Sequence, residues 1–142
     1  MPTYKDDVYA WAFEQARFLR EGRFDLLDIE HLADEIEDVG KTELELLAKR
    51  IAVLLAYLLM WHYLPTERTG VWTLTIEAVR LGIATSLEES PGMRARIDEP
   101  RNLQLIWAHA LAQAVTESEE SCFPTECPWP IRDVLSEDWL PT

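Results

Sequence analysis

The chain is expected to be all-α, a bundle of about four main helices with a proline-rich C-terminal segment packed on it. Three observations carry this expectation. Apolar residues recur every three or four positions through most of the chain, the spacing of one helix face. Strand-like alternation and Asn-Gly hairpin signals are absent. The stretch from Asp28 to Tyr63 keeps one helical phase from an acidic start, DIEHLADEIEDVG, to an apolar end, IAVLLAYLLMW.

The elements follow in order. Tyr4 to Glu21 reads as an amphipathic helix with Val8, Trp11, Ala12, Phe18 and Leu19 on one face. Asp6 and Asp7 sit in its first turn, where they complement the helix dipole, and Gly22 is a plausible stop. Asp25 or Asp28 then caps the long helix. There Ile29, Leu32, Ala33, Ile36 and Val39 share a side with Leu47, Ile51, Leu54, Leu58 and Trp61. The phase survives Gly40, which argues for one continuous helix, although glycine also ends helices. Beyond Arg50 the helix is apolar nearly all round, so other elements should surround it. It should end before Pro65, with LPTERTG as connector.

Helical spacing returns from Val71 to Glu89, with Trp72, Ile76, Val79, Ile83 and Leu87 on one face. Ser90-Pro91 restarts a short helix that runs to Asp98. A further helix, Arg101 to Glu119, carries Leu103, Ile106, Trp107, Ala110, Leu111 and Ala114. The tail CFPTECPWPIRDVLSEDWLPT holds four of the eight prolines. Its two tryptophans distinguish it from a linker. It reads as an extended segment wrapping the bundle, with one helical turn near Ile131 to Leu135.

A length of 142 residues fits a single domain, 1–142, with enough chain for its own core. With 48% apolar residues and six tryptophans the composition is not that of a disordered chain. The net charge of −13 opposes nucleic acid and anionic membrane as partners and favours basic partners or metal cations. The N-terminus MPTYKDDVY lacks a signal-peptide pattern. The longest apolar run, Ile51 to Trp61, is short of the ~20 residues a membrane span needs. A cytoplasmic protein is expected. Cys122 and Cys127 form a lone pair, well short of the roughly four ligands of a zinc site, and should be thiols.

Two charged residues interrupt the apolar stripe of the long helix, Glu43 and Arg50. Buried charge is costly unless paired, and Glu77 and Arg80 on the next main helix are the natural partners. Glu43, Arg50, Glu77 and Arg80 are therefore expected to form an ion-pair network that fixes helix register, and they are the candidate ligand-binding residues. No metal site and no cofactor are expected. The alternative is an acid-only site at Glu35 and Asp38, which would serve a metal-dependent hydrolase. No Glu-x-x-His pair supports it, and along a straight helix Glu35 and His62 lie about 40 Å apart. The G-x-S-x-G elbow, the P-loop, the Rossmann glycines and H-E-x-x-H are all missing. Cys127, in ECPWP, has no neighbouring base or cation to activate it. The expected function is a non-enzymatic binding or interaction domain, with a homo-oligomer or a protein as partner.

LADEIEDVGKTELELL, LLMWHYLP, SPGMR and FPTECPW, in that order and spacing, carry a further signal. Across about Tyr4 to Leu140 the sequence resembles a bacterial family catalogued only as a domain of unknown function, number twenty-nine in its series. The resemblance implies a small helical domain without an established activity, so no catalytic residue is carried over. Members of that family often have histidine at the position of Tyr57, which sets Tyr57 aside as a metal ligand.

Overall fold

The side chain of Asp7 starts the first helix by accepting the N–H of Ala10 at 3.0 Å, which satisfies one of the orphan donors of a helix start. The computed structural model describes residues 3–142, and among these it is all-α. Helix α1 spans Val8–Arg20 and turns Trp11, Gln15 and Phe18 inward. Trp11 and Phe18 are buried as expected, whereas Val8, Ala12 and Leu19 are exposed. The inward face is rotated toward Gln15, because the Oε1 of that polar residue accepts the N–H of Asp28 at 2.7 Å. A face drawn only from apolar residues leaves Gln15 out. Gly22, with φ 71°, ends α1: Gly22 N–H reaches the Leu19 carbonyl and Arg23 N–H the Phe18 carbonyl. This is the glycine-terminated pattern that satisfies the last carbonyls of a helix.

A 3-10 turn, Phe24–Leu26, leads to α2, Ile29–Tyr63. Asp28 caps it, its side chain accepting His31 N–H and its carbonyl Leu32 N–H. The helix runs unbroken through Gly40. The chain divides into a first unit within Met1–Thr42 and a second, Glu43–Thr142.

In the first unit the apolar residues of α2 are not buried as the stripe implied. Ile29, Ile36 and Val39 are 70%, 70% and 67% exposed. Here α2 is packed through its polar side instead: Asp28 bonds to Trp11 of α1 and to His31, Glu35 bonds to Tyr4, and Tyr4 stacks on His31.

In the second unit α2 supplies Leu47, Ile51, Leu54, Leu55 and Leu58 to the core, all essentially inaccessible. Each such side chain contributes about 1.5–3 kcal/mol through burial. Ala56, Leu59 and Met60 bury another side of the same helix, so beyond Arg50 it is surrounded, as its composition required. A 3-10 turn, Pro65–Glu67, connects to α3, Gly70–Glu89. Arg68 closes the end of α2 by donating to the Trp61 carbonyl at 2.7 Å while lying over the Trp61 ring.

Ile76, Ile83 and Leu87 of α3 meet the α2 leucines. Helix α4 spans Gly92–Ile97, two residues after Ser90, and α5 spans Pro100–Ser118 with proline at its first position, where no N–H is needed. The tail is extended apart from α6, Ile131–Leu135. Trp107 Nε1 donates to the Thr125 carbonyl at 3.0 Å, and Trp129 packs edge-on to Trp139. Cys122 and Cys127 are free thiols. Among the described residues no helix is long and apolar enough to cross a membrane.

Candidate binding groove

Arg80 is the residue around which the site is built. Helix α6 ends at Leu135 and leaves its last carbonyls without helical partners. Arg80 Nε and Nη2 both donate to the Val134 carbonyl, at 3.2 and 3.1 Å. Val134 itself is fully buried. The fork of one guanidinium thus ties α6 to α3 and places the Glu137–Leu140 segment beside α3. Burial pushes the Arg80 pKa down, and the nearby Asp138 carboxylate opposes that. Arginine remains charged even so.

Between α3 and this C-terminal segment lies a groove of about 580 Å³. Ile76, Leu81, Ala84, Leu135 and Leu140 make it apolar, and Glu77, Glu88, Glu137 and Asp138 give it a negative rim. Among the described residues none of these four carboxylates forms an ion pair. Asp138 has φ 62°, a left-handed backbone that Asp tolerates better than most residues. Next to the groove, Val71, Leu74 and Leu81 of α3 are 66%, 67% and 70% exposed. With Ala78 they form a stripe at i, i+3, i+7 and i+10.

Of the four residues expected to cluster, Glu77 and Arg80 line this groove. Glu43 and Arg50 do not join them; both are exposed. Arg50 Nη1 donates to Ser86 Oγ at 2.7 Å. The expected ion-pair network is therefore absent: among the described residues no ion pair joins Glu43, Arg50, Glu77 and Arg80.

Register explains the difference. Arg50 lies level with Ser86, about 13 Å along α3 from Glu77 at 1.5 Å per residue. Counted from the connector, Glu43 falls level with the end of α3 and has no Arg80 to meet. Phase contributes as well. Glu43 and Arg50 project roughly 20–40° beyond the edge of the arc set by Leu47, Leu54 and Ile51. From a helix edge a long charged side chain reaches water without exposing its stem.

Sequence reasoning missed a second polar arrangement, in the first unit. Asp28 Oδ2 is bonded to Trp11 Nε1 at 3.0 Å and to His31 Nδ1 at 2.8 Å. Tyr4 stacks on His31 with 4.2 Å between ring centroids, and its hydroxyl donates to Glu35 Oε1 at 2.5 Å. That bond to Glu35 raises the Tyr4 pKa. Partial burial pushes Asp28 upward, but the hydrogen bonds from His31 and Trp11 outweigh it and hold the carboxyl below its usual range. The Asp-x-x-His spacing at the helix start was the available signal; Tyr4, far away in sequence, was not. Glu35 is thus engaged by Tyr4 and Asp38 is exposed. Among the described residues no three metal-ligating side chains gather around either.

No match to the chain was found among curated proteins or among solved structures. A family model does match, across residues 3–140. The match takes in every helix described above: the chain belongs to the family described as domain of unknown function DUF29.

Proposed function

We propose that this chain is a non-enzymatic interaction domain whose α3 groove docks a basic amphipathic helix of a partner protein. The observation that supports the reading is the pairing of an apolar floor with four carboxylates that form no ion pair among the described residues. Basic groups on a partner would answer those charges, and its apolar face would cover Leu81 and the groove floor. The exposed stripe from Val71 to Leu81 extends about 15 Å along α3. That length suits a helix of several turns better than a small molecule. A second copy of this chain would bring more negative charge to the same rim, since each carries −13.

The test is binding of a short helical peptide with leucine on one face and lysine elsewhere, followed by fluorescence anisotropy. The lysine peptide should bind, and binding should weaken as salt rises. A glutamate version with the same leucines should not bind. Leu81→Arg, at an exposed position, should abolish binding without lowering the melting temperature. Equal binding of both peptides would overturn the proposal, as would indifference to Leu81→Arg. Sedimentation of the domain alone is the companion measurement: a dimer that Leu81→Arg dissociates would assign the groove to a second copy instead.

A further inference from the structure

On the other side of α6 the chain carries a second cleft, of about 730 Å³, and its chemistry is the reverse of the first. Leu87, Ile97, Ile131 and Leu135 give it an apolar lining, and Arg94 and Arg132 stand on it. Leu87 and Ile97 are buried core residues, so the floor is anchored rather than formed by mobile surface groups. Leu135 lines both grooves; α6 is the wall between them.

Acids outnumber cations 26 to 13 in the chain as a whole, yet this cleft is lined by two arginines and a single carboxylate, Asp98. Arg96, two residues from Arg94, is paired with Glu99 at 3.0 Å. Arg94 and Arg132 form no ion pair among the described residues. Asp98 also borders the cleft and lies outside ion-pair distance of either. Two guanidiniums without an ion pair among the described residues, beside an apolar lining in a space of the size small ligands occupy, are complementary to one kind of molecule.

We infer that this cleft is a binding site for a small anionic amphiphile, a single carboxylate or phosphate head on an apolar body. The head meets the Arg94 and Arg132 guanidiniums, whose planar donors suit either oxyanion. The apolar body covers Ile97 and Ile131. The site is independent of the basic-helix reading of the α3 groove, whose rim would repel the same ligand.

The probe is anilinonaphthalene sulfonate, an anionic amphiphile that fluoresces in apolar surroundings, titrated against the intact folded domain. The Arg94→Gln/Arg132→Gln pair should weaken its binding by roughly tenfold or more, through loss of charge-assisted contacts. Neutral phenylnaphthylamine should bind the wild type and this variant alike. Arg96→Gln should leave sulfonate binding unchanged. Both arginines are exposed, so folding should be intact by circular dichroism; should the pair not fold, each single substitution must still weaken binding. Octanoate and octyl phosphate serve as competitors, and whichever displaces the probe identifies the head group. Unchanged sulfonate binding in the arginine variants overturns the inference. So does displacement by an acidic peptide but by neither small competitor.

Discussion

Leu54 sits at the middle of the α2 stripe with no accessible surface, and Leu54→Ala should cost about 2–5 kcal/mol in denaturant titration. Arg80 differs in kind. Arg80→Leu removes both donors from the Val134 carbonyl, leaving it buried and unpaired, and should destabilise by about 1–3 kcal/mol. Lysine at the same position can restore only part of a two-pronged bond. Asp28 gives a pH signature. Its folded pKa is held below the ordinary carboxylate value of about 3.9. Its contribution is therefore fully present above that value and is lost as pH falls through the folded pKa. Asparagine still caps a helix but does not titrate. The melting temperature of Asp28→Asn should lie below wild type at neutral pH, and the gap should close in acid. A gap independent of pH would mean that the carboxylate charge is not what holds His31 and Trp11.

The helices were legible in the sequence because each is punctuated by residues whose physics is local. Gly22 supplies a left-handed turn, Pro100 opens a helix, and Ile131 to Leu135 carries one turn between prolines and the tail. The phase argues for continuity through Gly40 while glycine itself leaves a break open; the helix runs through, and the structure shows why glycine is not needed there. A Cβ added at Gly40 would have open space around it. Gly40→Ala should stabilise by roughly 0.5–1 kcal/mol, measured by thermal or chemical unfolding. Destabilisation would imply that the helix breaks at Gly40 in solution. What was not legible depended on pairs distant in sequence. The inward face of α1 departs from its apolar pattern because Gln15 is polar yet buried at 4% exposure. The first half of α2 was expected to bury its isoleucines, but Tyr4 and Trp11 engage its polar side. Glu43, Arg50, Glu77 and Arg80 were grouped by phase, whereas a pairing also requires level, and Arg50 lies level with Ser86.

At the scale of the whole molecule, a chain of charge −13 gathers around one apolar groove four carboxylates that form no ion pair among the described residues. The groove could not be read from the sequence, because it depends on Arg80 drawing α6 and the segment after it against α3. The central claim is that these carboxylates serve recognition rather than stability. The most direct measurement combines Glu77→Gln, Glu88→Gln and Glu137→Gln and records both melting temperature and affinity for the lysine-leucine peptide. The account predicts an unchanged melting temperature and a peptide affinity reduced by about tenfold or more, as expected when several desolvated charge pairs are lost together. An affinity equal to wild type in a folded triple variant would contradict it.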